Sequence, residues 1–214
     1  MQFNVEKAAP RKIYDLLTGL VAPRPIAFVT SMDQSGMVDA APYGAYNYLC
    51  SDPPILGLGI MHQSGPVYAL KETALNIRNT AEFVVNVVTE DLARQIKICA
   101  MDVPKGSNKL EMARLDILPS AVVKVPRIRQ AHAALECTVH TVLGIGSGDI
   151  MLGQVVSIFG EDRSLDASGP YVLATELHSI WRMNGLGAYV KTEGAFLAFP
   201  RLTYAEWKKD SAGE

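Results

Sequence analysis

AALECTVHTV, at residues 133–142, is the stretch of sequence that decides the fold. From 135 to 140, odd-numbered positions are apolar and even-numbered positions are polar. A period of two is that of a β-strand with one buried and one solvated face, as in antiparallel sheets. The glycine-rich run GIGSG at 144–148 predicts a turn, and residues 150–159 predict the returning strand. The sequence therefore predicts a long antiparallel hairpin.

Outside this hairpin, the sequence predicts mainly strands, with helices inserted between them. A turn at 32–36 joins two of the predicted strands into a second hairpin. Gly57 and Gly59 lie inside another predicted strand and indicate a bulge, or close approach by another backbone or a ligand. The predicted strands are 25–31, 37–43, 55–61 and 82–88; the predicted helices are 10–17, 71–80 and one beginning at Thr89; residues 100–120 are predicted as a loop. This order does not fit a doubly wound sheet and favours a mainly β fold with helical insertions, closed as an antiparallel barrel.

Composition sets limits on the class of protein. The chain has 214 residues, a length that suits one domain, and its net charge of −2 gives no broad electrostatic case for a nucleic-acid partner. The three cysteines are far apart and form no Cys-x-x-Cys pair, so we expect a reducing compartment. The first residues contain no long apolar run, so we expect no signal peptide, and no run of about 18 apolar residues predicts a membrane span. We expect a cytoplasmic protein with no membrane partner.

Several familiar catalytic motifs are missing from the sequence. The four histidines are scattered without a metal-ligand spacing, so we expect no metal site. GIGSG resembles half of a dinucleotide fingerprint, but it leads into a predicted strand rather than a helix. Its serine lies in a hairpin turn, which is not the strand-to-helix elbow of a nucleophile. No phosphate-binding loop of the Walker type is present. The candidate function must therefore come from another set of residues.

Three segments stand out in order along the chain. The first is PRPIAFVTS at 23–31, followed by APYGAYNY at 41–48 and PPIL at 53–56; the second is KETALNIRNTAEFVVN at 71–86; the third is WRMNGLGAY at 181–189. Together they resemble the flavin-reductase-like family over roughly residues 18–190. The resemblance implies an antiparallel split β-barrel of the FMN-binding type. It also implies a homodimer with FMN (flavin mononucleotide) at the subunit interface. The implied domains are an N-terminal extension at 1–20, the split-barrel domain at 21–190 and a C-terminal extension at 191–214.

The phosphate of FMN needs positive potential and hydrogen-bond donors. Lys71 and Thr73 lie where the predicted helix begins, so they combine an ammonium, a hydroxyl and the helix N-terminus. Thr30 and Ser31 end a predicted strand at a turn and offer two more hydroxyls. Each has an alternative role: Thr73 as a plain helix cap, Lys71 as a solvated charge, and Thr30 and Ser31 as turn residues.

The isoalloxazine ring needs a flat, largely apolar slot with a few hydrogen-bonding groups. By resemblance, the segment Ala45, Tyr46, Asn47 and Tyr48 runs past the ring and offers backbone amides. The Asn47 side chain can donate and accept hydrogen bonds at once. Its alternative role is to stabilise its own loop.

Two further groups lie at the ends of the resemblance. Arg24 and Pro25 begin the first barrel strand at the same end, and Arg24 either pairs with an acid or approaches the cofactor. Tyr189 belongs to a segment that lies near the cofactor in the family. Tyr189 and Trp181 are also typical of packing or interface residues. The sequence leaves these alternatives open.

The resemblance implies an FMN-dependent oxidoreductase of the flavin reductase type, with the chemistry supplied by the cofactor. NAD(P)H would be the donor, and free flavin, oxygen, a monooxygenase or a metal centre the acceptor. One departure weakens the NAD(P)H assignment: relatives often show Gly-Asp-His where this chain has Gly148, Asp149 and Ile150. The alternatives are a flavoredoxin-like electron carrier fed by a protein donor, and a barrel that binds no flavin. No catalytic residue is predicted.

Overall fold

The computed structural model describes residues 2–63, 69–104, 106–166, 168, 169, 171–185, 187–192, 204 and 208. Strands dominate this part of the chain, and the helices are short. The strands are β1 (Ala27–Met32), β2 (Val38–Tyr43), β3 (Tyr46–Ser51), β4 (Pro54–Met61), β5 (Glu82–Val87), β6 (Ile117–Leu118), β7 (Arg127–Ile128), β8 (Ala133–Ile145), β9 (Gly148–Gly160), β10 (Ile180–Arg182) and β11 (Tyr189–Lys191). The helices are α1 (Pro10–Leu20), α2 (Glu72–Thr80), α3 (Ala93–Cys99), α4 (Lys109–Met112) and α5 (Ala174–Leu177).

Seven strands form one antiparallel sheet in the order β2-β1-β5-β8-β9-β4-β3. A flat sheet of this size would separate its edge strands β2 and β3 by about 29 Å, at about 4.8 Å per strand. Yet only two residues separate Tyr43, which ends β2, from Tyr46, which begins β3. Three Cα steps reach about 11 Å, so the sheet must curl until its edges meet. The predicted closed antiparallel barrel with helical insertions is confirmed.

The hydrophobic core has two layers, one inside the barrel and one outside it. Inside, Val29, Leu58, Phe83 and Met151 pack with α2, which closes the barrel at one end. Outside, the opposite face of β1 packs against α3, α4 and the β10–β11 hairpin. Residues on β1 alternate strictly between these two layers, because successive side chains of a strand point to opposite faces. This alternation decides which β1 side chains can reach a site.

Four sequence expectations about local structure need correction. The predicted turn at 144–148 shrinks to residues 146 and 147, because β8 continues to Ile145 and β9 restarts at Gly148. The predicted loop at 100–120 contains α4 and β6. The helix predicted from Thr89 begins as a 3₁₀ turn at 90–92, and the Thr89 hydroxyl donates to the Asp91 carboxylate instead of capping. The segment 45–48, predicted only as a stretch that runs past the ring, contributes residues 46–48 to the strand β3, which continues to Ser51.

The alternation of β8 is interrupted by two register shifts, at Glu136/Cys137 and at Val139/Thr141. At the first shift the extra residue is Val156 on the partner strand β9, and at the second shift it is His140 on β8. The Glu136 side chain, expected on the solvated face, is only 2% exposed. It accepts three backbone N–H groups from residues 121–123, at 2.7, 2.7 and 3.2 Å. Burial opposes ionisation of this carboxyl, but the three donors lower its pKa below the ordinary value.

The two glycines of β4 mark a close approach by β3, as one of the sequence alternatives held. The Gly59 amide donates to the Ala45 carbonyl, and a Cβ on Gly59 would lie 3.0 Å from the Ala45 Cβ. A Cβ on Gly57 would lie 2.7 Å from a methyl group of Leu49. The bulge lies on the partner strand β3, between Tyr48 and Cys50. The glycines therefore let β3 close the barrel.

Candidate functional site

A cleft of about 1160 Å³ opens at the end of the barrel that α2 closes. Its walls are the turn and second strand of the β1–β2 hairpin, the first turns of α2 and the segment that follows α3. Ligand pockets typically measure about 300–1,000 Å³, so the cleft can admit a nucleotide-sized molecule. Polar side chains that line it include Asp39, Tyr43, His62, Lys71, Thr73, Asn76, Asn79 and Lys109.

The N-terminus of α2 opens into this cleft. Lys71 occupies the N-cap position, and its own side chain makes no capping hydrogen bond to the described residues of the first turn. The amide N–H groups at the start of a helix have no partner within the helix, so an uncapped terminus presents them to whatever lies in front. Lys71 itself makes no ion pair within the part of the chain that the structure describes. A free ammonium and the positive end of a helix therefore meet in one place.

Thr73 lies in the same turn but has hydrogen-bond partners within the protein. Its hydroxyl donates to the Asp39 carboxylate at 3.3 Å, and the residue is 1% exposed. Asp39 also pairs with Lys109 of α4 at 2.9 Å, and both side chains are nearly buried. The Tyr43 hydroxyl bonds Thr73 as well, and burial raises the pKa of that phenol. This ion pair is neutral as a unit, so Asp39 does not cancel the charge of Lys71.

The two hydroxyls at the end of β1 lie on opposite faces of the strand. Ser31 points toward α2, where its hydroxyl accepts a hydrogen bond from the Asn76 amide at 3.2 Å. Thr30 points to the outer layer and donates to the Pro126 carbonyl at 2.7 Å. Both are fully buried. The Thr30 hydrogen is thus committed to the backbone, in contrast to the phosphate contact expected from the sequence, and Ser31 lies behind a residue that lines the cleft.

A buried carboxylate fixes α2 to the sheet next to the cleft. Asp149 of β9 accepts hydrogen bonds from Arg78 of α2 at 2.8 and 3.2 Å. The imidazole Nε2 of His62, a cleft residue, lies 3.5 Å from the same carboxylate. The hydrogen bonds from Arg78 lower the pKa of Asp149, against the opposing effect of burial. Asp149 therefore holds both the helix and the imidazole in place.

The segment at 45–48 lies on the edge strand of the sheet. Tyr46 packs against the interior core, and burial raises the pKa of its phenol. Asn47 and Tyr48 are exposed, and the Asn47 side-chain oxygen accepts the Tyr48 amide at 2.9 Å. The Ala45 carbonyl accepts a hydrogen bond from the Gly59 amide. The local hydrogen bond of Asn47 matches its alternative role as a residue that stabilises its own segment.

Arg24, Pro25 and Tyr189 form a separate group beside the β2–β3 connection. Arg24 forms an isolated antiparallel bridge with Arg182 of β10. Its guanidinium lies 3.4 Å from the Gly44 carbonyl and 3.4 Å from the Met183 carbonyl. Tyr189 accepts a hydrogen bond from Arg182 at 2.8 Å and packs against the outer core. The acid partner weighed for Arg24 is not found within the described residues.

The predicted site residues therefore fall into two regions. Lys71 and Thr73 line the cleft, while Arg24, Pro25, Tyr189 and the segment 45–48 lie at the other end of β2. The sequence reasoning missed Asp39, His62 and Lys109. Lys109 lies in a predicted loop and Asp39 in a predicted strand, and no local sequence pattern indicates a functional role for either residue. Only the fold brings them beside α2.

Among the described residues, no group of three His, Cys, Asp or Glu side chains is placed to hold a metal ion. None of the helices in this part of the chain has the length and hydropathy to cross a bilayer.

Comparisons with known proteins agree with the fold. A family model described as "Flavin reductase like domain" matches residues 20–176. YwrF of Bacillus subtilis (strain 168), an uncharacterized protein, is 33% identical over 189 residues, which cover 86% of this chain and 91% of YwrF.

Two solved structures are similar over nearly their whole length. Nitrilotriacetate monooxygenase component B from Bacillus cereus has a TM-score of 0.86 and 27% identity, covering 92% of this chain and 98% of that one. The 2-nitrobenzoate 2-nitroreductase NbaA from Pseudomonas fluorescens has a TM-score of 0.84 and 29% identity, covering 95% of this chain and 98% of that one.

Proposed function

The chain belongs to the flavin-reductase-like family, and on that premise we propose that it is an FMN-binding oxidoreductase of the flavin reductase type. Family membership supports a flavin-related oxidoreductase at a coarse level. FMN as the cofactor, the electron donor and the residue roles are our proposal. The observation that carries it is the uncapped N-terminus of α2, which opens with Lys71 into a nucleotide-sized cleft.

The residues present fit the phosphate of FMN. A phosphate monoester carries about −1.5 to −2 charges at neutral pH, and the positive end of a helix is a favourable place for it. Lys71 supplies an ammonium, and residues 72–74 supply backbone N–H groups. Thr73 shapes the site through Asp39 and does not donate its hydroxyl hydrogen to the phosphate. The phosphate subsite is therefore built from one lysine and the backbone of α2.

The ring of FMN is proposed to extend along β2 toward the β2–β3 connection. Tyr43 and Ala41 of β2 line the cleft. The chain then continues directly into Ala45, Tyr46, Asn47 and Tyr48. Backbone groups of this edge strand face away from β4 and can bond the polar edge of the ring. Pro25 and Tyr189 adjoin this end of the barrel and would limit access to the ring.

Bound FMN would supply the electron-transfer chemistry, and the protein would position it and control access to it. Lys71 and the α2 N-terminus hold the phosphate. Arg78 and Asp149 keep α2 fixed against β9, so that the phosphate subsite keeps its distance from the ring subsite. His62, held near Asp149, lines the same cleft.

A flavoredoxin-like electron carrier is the second candidate. The observation that favours it is Ile150, which stands where relatives often carry the histidine of Gly-Asp-His. In this function the chain binds FMN but accepts electrons from a protein donor rather than from NAD(P)H. The Bacillus cereus neighbour is a component of a monooxygenase, and this supports another protein as the electron acceptor.

We propose that the chain works as a homodimer. Met61, Leu143 and Ile145 are 52%, 46% and 59% exposed, although all three are large and apolar. Ile145 and Met61 both pair with Gly148, so the three side chains lie together at one end of the sheet. Apolar patches of this kind mark interaction sites, and a second copy of the same chain is the partner we propose.

The experiment is anaerobic reduction of the FMN-reconstituted protein, followed by visible absorbance. NADH and NADPH are added separately, and dithionite serves as the control that any bound flavin can be reduced. Rapid bleaching by one nucleotide supports the reductase and identifies its donor. Bleaching by dithionite alone supports the electron carrier. Failure of the protein to retain FMN contradicts both.

A further inference from the structure

Two arginines lie side by side at the end of the barrel opposite the α2 N-terminus. Arg24 and Arg182 form an antiparallel bridge, with N–H to O=C distances of 2.8 and 2.9 Å. Residues that face each other in such a bridge carry their Cβ atoms on the same side, about 4.5–5.5 Å apart. Both guanidinium groups therefore start from the same face of the structure.

Neither guanidinium has an acidic partner in the described residues. Among the described residues, the guanidinium of Arg24 has hydrogen-bond contacts with the carbonyls of Gly44 and Met183 alone, both at 3.4 Å, which is long for a hydrogen bond. Its Nε is buried and has no hydrogen-bond partner in the described part of the chain. Arg182 bonds the Tyr189 hydroxyl at 2.8 Å and reaches the Asn184 carbonyl at 3.5 Å. Each guanidinium therefore keeps N–H donors that these contacts do not use, and a bound anion would accept hydrogen bonds from them.

The position of the pair separates it from the proposed phosphate subsite. Arg24 lies against Gly44, where a Cβ would come within 3.0 Å of its Nη1, so glycine leaves room for the guanidinium. The phosphate subsite adjoins Thr73, which bonds Asp39 near the start of β2. Gly44 follows the end of β2 and is five residue steps from Asp39, or about 16 Å in an extended chain. One phosphate cannot reach both places.

We propose that Arg24 and Arg182 form a second anion-binding site. It takes the phosphate or carboxylate group of the molecule that exchanges electrons with the flavin. Arginine suits this role because its planar fork binds both kinds of group through two parallel hydrogen bonds. The inference rests on the proposed function for the flavin beside it. A nucleotide donor would bring phosphates, and an organic acid acceptor would bring a carboxylate.

The test is calorimetric titration of FMN-loaded protein with two probes, inorganic pyrophosphate and benzoate, at low salt. Saturable binding of pyrophosphate alone identifies the nucleotide source, and binding of benzoate alone identifies the carboxylate source. Arg24→Gln and Arg182→Gln should each lower the affinity for the probe that binds by about tenfold or more, because each variant loses charge-assisted hydrogen bonds. Arg11→Gln is the matched control, since this arginine is on α1 and its side chain is 74% exposed. It should change binding less than about twofold.

The variants Arg24→Lys and Arg182→Lys distinguish a loss of anion binding from a loss of the folded state. They keep the charge, should retain the unfolding midpoint of the parent, and should still weaken the probe because the fork is gone. The proposal is overturned if neither probe binds the parent protein, or if the glutamine variants bind as the parent does. It is also overturned if those variants lose FMN affinity while keeping riboflavin affinity, since the arginines would then hold the phosphate of the flavin. Probe binding by a protein that rejects FMN would support the anion site and contradict the proposed function instead.

Discussion

Replacing Asp149 with asparagine should destabilise the protein and loosen α2. Asp149 is 2% exposed and accepts two hydrogen bonds from Arg78, whose side chain is 38% exposed. Hydrogen bonds to charged groups contribute about 1.5–3 kcal/mol each. Solvent near Arg78 reduces this, and the asparagine oxygen still accepts one bond, so we expect a net loss of about 2 kcal/mol. For a chain of this size the unfolding midpoint should fall by about 4–8 °C.

The assay is thermal and urea unfolding at pH 7, with Asp15→Asn as the matched control. Asp15 also pairs with an arginine, but the two side chains are 52% and 74% exposed. Removing this exposed pair should cost less than about 0.5 kcal/mol. Equal effects of the two substitutions would refute the reasoning, because burial of Asp149 is what should make the difference.

The pH dependence gives a second check on the same carboxylate. Its pKa in the folded protein lies below the ordinary value of 3.8, chiefly because of the Arg78 hydrogen bonds. A lowered folded-state pKa adds stability that is complete above the unfolded-state pKa and is lost as the pH falls through the folded-state pKa. The stability gap between the parent and Asp149→Asn should therefore be constant near neutral pH and narrow below about pH 3.8. A gap that widens on acidification would contradict the assignment.

Three shorter predictions follow from the rest of the structure. Glu136→Gln should lower the free energy of unfolding, measured in urea, by about 2–4 kcal/mol, because the glutamine NH₂ group would face backbone N–H donors that the carboxylate accepts in the parent. A decrease below about 1 kcal/mol would contradict this. A thiol reagent at pH 8 should modify Cys50 rapidly and spare Cys99 and Cys137, which are buried and whose pKa values burial raises to about 11 and about 12. Ile145→Lys should give a monomer by sedimentation velocity; an unchanged dimer would exclude this patch as the interface.

The local elements of the barrel were predictable because their signals are local. Alternation along residues 135–140 gave β8, and the turn at 32–36 gave the β1–β2 hairpin. The closure of the sheet was predictable only as a class of fold, since it depends on the pairing of β3 with β4. The burial of Glu136 could not be predicted, because its partners at 121–123 approach from a distant part of the chain. An acidic residue in an alternating strand is predicted to face solvent, unless the segment that covers it, here residues 121–123, is already known.

Site residues that belong to one secondary-structure element could be predicted from the sequence. Contacts between residues of different elements could not. Lys71 follows from the start of a helix, which the sequence marks. Thr30 and Ser31 looked equivalent, but strand alternation sends one to each core layer, and only Ser31 lies near α2. Lys109 and Asp39 are 70 residues apart in sequence and pair through the tertiary fold. Pairs of this kind carry no mark in a single sequence.

The most direct measurement of the central claim is fluorescence titration of the purified protein with FMN and with riboflavin, which lacks the phosphate. We predict that FMN binds about tenfold or more tightly than riboflavin. Lys71→Ala should remove about tenfold or more of the FMN affinity, the equivalent of one charge-assisted hydrogen bond, and leave riboflavin unchanged. Lys7→Ala, at an exposed position, is the control and should match the parent for both ligands. Equal affinity of the parent for the two ligands, or equal losses for both in Lys71→Ala, would contradict a phosphate at the start of α2. A protein that binds neither would contradict the account as a whole.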